Sequence, residues 1–262
     1  MITGASSGIG EVTAHRLSRE PGARLVLVAR RRDRLHELAG RLGGATVVAV
    51  DLTDPSAPQA VREAIEHEHR GELHLLVNNA GARWAGAFGD TGWENVERHM
   101  KINFEAPLRL TEALLPLLRA TAGSGQHPVA IVNVSSTSGR VARGKAGGYS
   151  AAKFALAGWS DSLAAEEQAN GIHVGLVLPG FISTEGFPQA ELVAHPILRR
   201  IVSKPEVVAE AVVECGLEGK AERYAPRGYW LAAASRILAP KLVRRAISGG
   251  RLTPATGAHR QH

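Results

Sequence analysis

Tyr149 and Lys153 stand four residues apart in Tyr-Ser-Ala-Ala-Lys, and Ser136 lies thirteen residues before the tyrosine. Four residues make about one helical turn, so the two side chains project from one face. A phenol with a pKa of about 10 exchanges protons poorly at neutral pH. A neighbouring ammonium stabilises the phenolate and lowers that value, which is the tuning an acid or base catalyst needs. The Ser136 hydroxyl can hydrogen-bond a substrate oxygen. The trio predicts proton transfer at a carbonyl or an alcohol. Taken alone, Tyr149 and Lys153 fit a solvated helix surface equally well, so the surrounding elements must decide.

Those elements alternate. Apolar, β-branched runs at 24–29, 46–50, 73–77, 129–134 and 173–178 are separated by helical patterns at 9–20, 31–42, 55–70, 92–119 and 147–169. Near-continuous apolar runs suit strands covered on both faces. Asp54-Pro55 has the chemistry of a helix start. The alternation predicts right-handed βαβ crossovers and an α/β fold with a doubly wound parallel sheet. One domain over 1–247 is expected, with a loose polar tail over 248–262.

The chain has 262 residues, of which 44% are hydrophobic, and a formal charge of +6. Arginine supplies 25 of its 31 basic residues. No basic stretch is interleaved with aromatics, so no nucleic-acid partner is expected. No uncharged apolar run reaches the roughly 18 residues of a transmembrane segment. Cys215 is the only cysteine. That excludes an intrachain disulfide and fits a reducing, cytoplasmic location. His67, Glu68 and His69 read as a solvated charged helix face rather than a metal site, because residues i and i+2 do not face each other. No metal is expected.

Thr3-Gly4-Ala5-Ser6-Ser7-Gly8-Ile9-Gly10 has the glycines of a tight turn that lets a pyrophosphate approach a helix N-terminus. By itself this turn is also compatible with plain loop structure. With it come Asn78-Asn79-Ala80-Gly81, Asn103, Ser136, Tyr149-x-x-x-Lys153 and Pro179-Gly180, in that order. Over about residues 1–185 this set resembles the core type of the short-chain dehydrogenase/reductase family.

The resemblance implies a Rossmann-like fold, a nicotinamide cofactor and a catalytic tetrad of Asn103, Ser136, Tyr149 and Lys153. Tyr149 would exchange the proton, Ser136 would polarise the carbonyl, and Lys153 would tune the tyrosine and hold the nicotinamide ribose. Asn103 would steady a water relay behind Lys153, although an asparagine at a helix irregularity can also serve only the backbone. Ser135 is the competitor to Ser136, and the spacing to Tyr149 favours Ser136. The implied cofactor contacts are Gly4, Ser6, Ser7, Gly8, Ile9 and Gly10 at the turn, and Asn79, Ala80 and Gly81 beneath the adenine ribose. Asp51 and Leu52 lie near the adenine, although Asp51–Asp54 is equally a turn and helix cap. Pro179, Gly180, Ile182 and Thr184 stand beside the nicotinamide.

An acidic residue after the second strand would bind the 2′-hydroxyl of NAD. The chain has Ala29-Arg30-Arg31-Arg32 there. A guanidinium offers a 2′-phosphate bidentate contacts, so NADP is the expected cofactor, held by Arg30 and secondarily Arg31. Arg32 and Arg34 are expected only to decorate the next helix.

Residues 184–204 read as a lid, with Phe187, Leu192, Val193, Ile197 and Leu198 as an apolar wall for an apolar small-molecule carbonyl or alcohol. The rival from another class is a non-catalytic NADP(H)-sensing protein. The segment 228–247 reads as packing on its own domain or a partner subunit. The resemblance implies a homodimer or homotetramer formed through 92–119 and 147–169, with Leu114, Leu115, Leu117 and Leu118 either at that interface or on the sheet. Only Met1 and Ile2 precede the turn, so the first strand looks truncated. Several Val, Leu, Ile or Ala residues are expected upstream of it in the natural protein.

Overall fold

The computed structural model describes residues 1–125, 127–185, 194 and 198–248. Seven parallel strands form one sheet in the order β3-β2-β1-β4-β5-β6-β9. They are β1 (Ile2–Thr3), β2 (Val26–Ala29), β3 (Thr46–Ala49), β4 (Leu75–Asn78), β5 (Val129–Val134), β6 (Ile172–Pro179) and β9 (Glu222–Ala225). Two short strands, β7 (Phe181–Ile182) and β8 (Val202–Ser203), pair beside it. This is the doubly wound, Rossmann-like arrangement that the alternation predicts.

Both faces of the sheet are covered. On one lie α1 (Gly8–Leu17), α2 (Arg32–Arg41) and α7 (Glu206–Gly216), which bury Leu17, Leu35, Leu38 and Val212 in one cluster with Ile2, Leu27, Val132 and Val177 of the sheet. On the other lie α3 (Ala57–His69) and α5 (Ala106–Gly123) with part of α6 (Gly147–Glu167). Leu110, Leu114, Leu117 and Leu118 of α5 are buried there with Val61 and Ile65. The i, i+3, i+4 spacing of these leucines puts them on one stripe, and the sheet takes it. Three of the four leucines considered for a subunit interface are therefore spent inside the core, and Leu115 alone is only partly buried.

The central β1 is two residues long, as expected from its position. Ile2 pairs with Leu27 and Val77, and Thr3 with Val28. Val77 N–H donates to Met1 O at 2.9 Å, and the Met1 amino group donates to Leu75 O at 2.6 Å. The ladder toward β4 thus runs back to the first residue. The Thr3 hydroxyl extends the link, donating to Val77 O and accepting the Asn79 and Ala80 N–H groups.

Several expectations need correcting. The stretch 92–119 is not one helix: α4 (Phe88–Met100) passes through a π-helical segment, Lys101–Glu105, into α5. Neither α7 nor β9 was anticipated. The strand Glu-Arg-Tyr-Ala is too polar to stand out, and it exists because β6 offers it an edge. His69 leaves the charged face and is buried against the Thr46 hydroxyl, while His67 stays exposed beside Glu68.

In the C-terminal segment, α8 (Trp230–Leu238) and α9 (Pro240–Ser248) bury Ala233 but leave Ile237 and Leu238 exposed. The segment does not pack fully on its own domain. Most of the expected lid and its apolar wall, and the tail after Ser248, lie outside the described residues. Among the described residues, no helix is long and apolar enough to cross a membrane.

Candidate active site

Parallel strands end on one edge of a sheet, and the residues after them meet there. The turn after β1, the segments after β4 and β5, and the loop after β6 surround a cleft of about 610 Å³. Of the expected catalytic and cofactor-contact residues, all line this cleft except Gly10. Gly10 lies behind it, where a Cβ would collide with Gly4 O. Gly8 has φ +58° and comes so close to the Thr184 side chain that a Cβ would stand 3.2 Å from it. Both glycines are thus required by the packing of the turn.

Ser135 and Ser136 diverge at the end of β5. Ser135 Oγ donates to Lys153 O at 2.9 Å, fastening the strand to α6. Ser136 caps the 3₁₀ turn Thr137–Gly139, accepting from Ser138 N–H at 3.1 Å. Its hydroxyl donates to Pro179 O at 3.4 Å and lies near enough to the Tyr149 hydroxyl to lower its pKa. The competitor serine is structural, and Ser136 is the one that meets the phenol.

Lys153 is 3% exposed and donates to Val134 O at 2.8 Å. Burial pulls its pKa down to about 7. Burial pushes the Tyr149 phenol up, while the Ser136 hydrogen bond, Arg143 and Arg83 pull it back down. The cations bearing on Tyr149 here are thus the two arginines. Lys153 Nζ lies 6.0 Å from the centre of the tyrosine ring, which departs from the simple tyrosine–ammonium pairing read from the sequence.

Asn103 sits in the π-helical segment, fully buried. Its Nδ2 donates to Ala82 O at 2.9 Å and to His99 O at 3.1 Å, and its Oδ1 accepts from Ala82 N–H at 3.2 Å. These bonds go to backbone. They hold the segment after β4 against the helix, with Gly81 packed between Asn103 and Lys153. Below, Asn78 Nδ2 donates to Asn133 Oδ1, and Asn133 Nδ2 donates to Ser160 Oγ, each at 2.9 Å. This buried polar chain ties β4, β5 and α6 together.

At the opposite end, Arg31 folds onto the glycine turn. It donates to Ser6 Oγ at 3.0 Å and Ser7 Oγ at 2.5 Å. Arg30 is largely exposed and pairs with Asp51 at 3.5 Å. Asp51 also accepts from Thr53 N–H and Oγ, so the turn role foreseen for it is present too. Burial would raise the Asp51 pKa, but the Thr53 bonds and Arg30 bring it below its ordinary value. Arg34 does more than decorate α2: it makes a two-pronged ion pair with Glu185, 151 residues away, at 2.5 and 2.8 Å.

Three neighbours of the tyrosine were not foreseen. Arg83 and Arg143 line the cleft beside it. His99 packs edge-on to its ring at 6.1 Å. The His99 Nδ1 partner is Asn95 O and its Nε2 lies 3.0 Å from Trp84 N, so a neutral ring donates through one nitrogen and accepts through the other. Burial lowers its pKa, consistent with neutrality. No local pattern marks these residues, because each reaches Tyr149 from a different segment.

A nicotinamide dinucleotide suits these residues. The turn excludes side-chain bulk at Gly8 and Gly10, the Ser7 side chain makes no cap bond to α1, and the cleft runs from Arg30 to Tyr149.

Residues 1–192 match the sequence profile of the family described as short chain dehydrogenase. Dehydrogenase/reductase SDR family member 7B of Danio rerio is 34% identical over 194 residues, which are 70% of this chain and 60% of that protein. The chain thus spans about three fifths of the length of that relative. A short-chain dehydrogenase from Streptomyces avermitilis superimposes with a TM-score of 0.76 at 26% identity, covering 95% of this chain and 97% of the other. The Pseudomonas aeruginosa RhlG/NADP active-site complex superimposes with a TM-score of 0.74 at 28% identity, covering 84% and 91%. The seven-stranded sheet, the cleft at its edge and the match over residues 1–192 place this chain in the short-chain dehydrogenase family of oxidoreductases.

Proposed function

We propose that the chain is an NADP-dependent enzyme that transfers a hydride between the nicotinamide and a carbonyl or secondary alcohol. The observation that carries this reading is the convergence of Ser136, Tyr149 and Lys153 in the cleft that begins at the glycine turn. Gly4, Ser6, Ser7, Gly8 and Ile9 would hold the pyrophosphate, and Asn79, Ala80 and Gly81 the adenine-side ribose. Asp51 and Leu52 would border the adenine, and Pro179, Gly180, Ile182 and Thr184 the nicotinamide. When bound, the nicotinamide supplies or takes up the hydride.

The chain's own residues handle the proton. Tyr149 is held protonated at neutral pH by burial, so its hydroxyl is ready to donate to a carbonyl oxygen. Ser136 touches the same hydroxyl and is in reach of that oxygen. Lys153, whose pKa burial pulls down to about 7, can replenish the proton. Asn103 positions Gly81 and Lys153, and a water relay behind Lys153 belongs to this proposal.

NADP is favoured over NAD because β2 ends on Ala29-Arg30-Arg31, with no carboxylate of its own to repel a 2′-phosphate. The proposal includes a homodimer or homotetramer working in the cytoplasm. Exposed Trp93 on α4 and Phe154 on α6 favour association, and a lone buried Cys215 suits a reducing compartment. Steady-state turnover over a panel of carbonyl compounds, with NADPH and with NADH, tests the reading. Turnover with NADPH is expected. Tight NADPH binding with no turnover on any member would favour the sensor instead.

A further inference from the structure

The end of the cleft that holds Tyr149 is cationic. Arg83 and Arg143 both line it, close enough to one another and to the phenol for their charges to interact. The Arg143 guanidinium stands 4.6 Å from the centre of the Phe181 ring and donates to the neutral Ser138 hydroxyl at 3.0 Å. Among the described residues, the charged groups that bear on Arg143 are Arg83, Tyr149 and Tyr229, and none is a carboxylate. Asp51 is the one carboxylate among the described residues lining the cleft. It follows β3, four strands from β5, or about 19 Å away.

Burial lowers the pKa of both guanidinium groups, and Arg83 lowers that of Arg143 further. Two partly buried like charges disfavour each other, and an anion beside Arg143 relieves the cost of burying it next to a second cation. The glycine turn, where cofactor phosphates are expected, follows β1, two strands from β5. Arg83 follows β4, the neighbour of β1, but Arg143 lies beyond β5, so the cofactor's own phosphates do not account for Arg143.

We infer that Arg83 and Arg143 form an oxyanion subsite for the substrate, which bears a carboxylate or phosphate a few bonds from its reacting carbonyl or hydroxyl carbon. This rests on the hydride-transfer reading above and names its substrate class. It replaces the apolar substrate expected from the sequence, whose supporting wall lies mostly outside the described residues. A planar guanidinium suits either oxyanion, because its donors match two oxygens at once.

The test uses oxo-carboxylates with two to five carbons between carbonyl and carboxylate, each paired with its methyl ester, and dihydroxyacetone phosphate paired with dihydroxyacetone. Turnover is measured with NADPH. Binding is measured by calorimetry on the enzyme–NADP⁺ complex, where a ketone cannot be reduced. At least one anionic member should exceed its neutral counterpart about tenfold in kcat/KM and in affinity. Arg143→Gln should erase most of that ratio, and Arg143→Lys should keep part of it.

Neutral members binding as well as anionic ones throughout would overturn the inference while leaving hydride transfer intact. So would an Arg143→Gln loss that is equal for acid and ester and shifts the pH profile, since that would make Arg143 a tuner of Tyr149. Arg143-dependent binding of an anion with no turnover anywhere would keep the subsite and sink the hydride-transfer reading. The carboxylate and phosphate arms distinguish the two oxyanions.

Discussion

The Asn103 carboxamide closes on the backbone of Ala82 from both sides, its Nδ2 2.9 Å from Ala82 O and its Oδ1 3.2 Å from Ala82 N. This pairing fixes where the chain runs after β4, and with it the floor of the cleft at Gly81. Replacing Asn103 with alanine leaves the Ala82 groups and His99 O without their partner. Unsatisfied buried polar groups cost roughly 1–3 kcal/mol each. For Asn103→Ala we expect a loss of about 2–4 kcal/mol, which at about 2–4 °C per kcal/mol lowers Tm by roughly 5–15 °C. A thermal scan with Tm unchanged and turnover lost would show that Asn103 acts in the chemistry and not through the frame.

Tyr149→Phe removes the hydroxyl but keeps the ring against His99. Turnover should fall by about 10²–10⁴-fold, the usual worth of one acid–base group, while NADPH affinity changes little. Near-normal kcat in the purified variant would remove Tyr149 from the chemistry.

Arg30 and Arg31 separate by what they touch. Arg30 faces solvent beside Asp51, whereas Arg31 braces Ser6 and Ser7. Arg30→Ala should weaken NADPH binding about tenfold or more, from the loss of roughly 1.5–3 kcal/mol in a charge-assisted contact, and leave NADH nearly unaffected. Arg31→Ala should weaken both cofactors, because it loosens the turn. Equal losses for the two cofactors in Arg30→Ala would refute the assignment of the 2′-phosphate to Arg30.

Stability should rise from pH 5.5 to 8.5. In a polypeptide whose first residue is Met1, burial pulls the α-amino pKa from 8.0 to about 5. Between those values the unfolded chain binds the proton and the folded one does not, so raising the pH favours folding. Below about pH 5 both states are protonated and the whole penalty remains, ~4 kcal/mol for three pKa units. Lys153, lowered from 10.5 to about 7, extends the rise above neutrality. His69, His74 and His99, all lowered by burial, act in the same direction below pH 6.5. Urea unfolding at the two pH values should differ by about 3 kcal/mol or more. A flat or falling profile would contradict burial of these groups.

Light scattering at micromolar concentration should give twice or four times the 27.7 kDa chain mass. Trp93→Glu and Phe154→Glu test the contact. Each is exposed, 67% and 42%, so a charge there costs the monomer little. A monomer mass for the unmodified protein would end the proposal.

The amino-acid sequence by itself determined six of the seven strands of the main sheet, most of the helices and the constellation of chemically able residues. Val129–Val134 is apolar throughout because both faces of β5 are covered, and that is written in composition. The four-residue step from Tyr149 to Lys153 and the glycines of the turn are likewise local, so their spacing could be read directly. The spacing to Tyr149 also favoured Ser136 over Ser135, but only tertiary structure showed what Ser135 does instead, since the two diverge according to where α6 and β6 pack. It also placed Asn103 in a π-helical turn facing Ala82, and spent Leu114, Leu117 and Leu118 on the core. It paired Arg34 with Glu185, 151 residues away, and brought Arg83 and Arg143 to bear on one tyrosine. Periodicity encodes which face of an element is apolar. Which distant segment closes over that face depends on strand order and crossover, and the charges that meet at the cleft are set there.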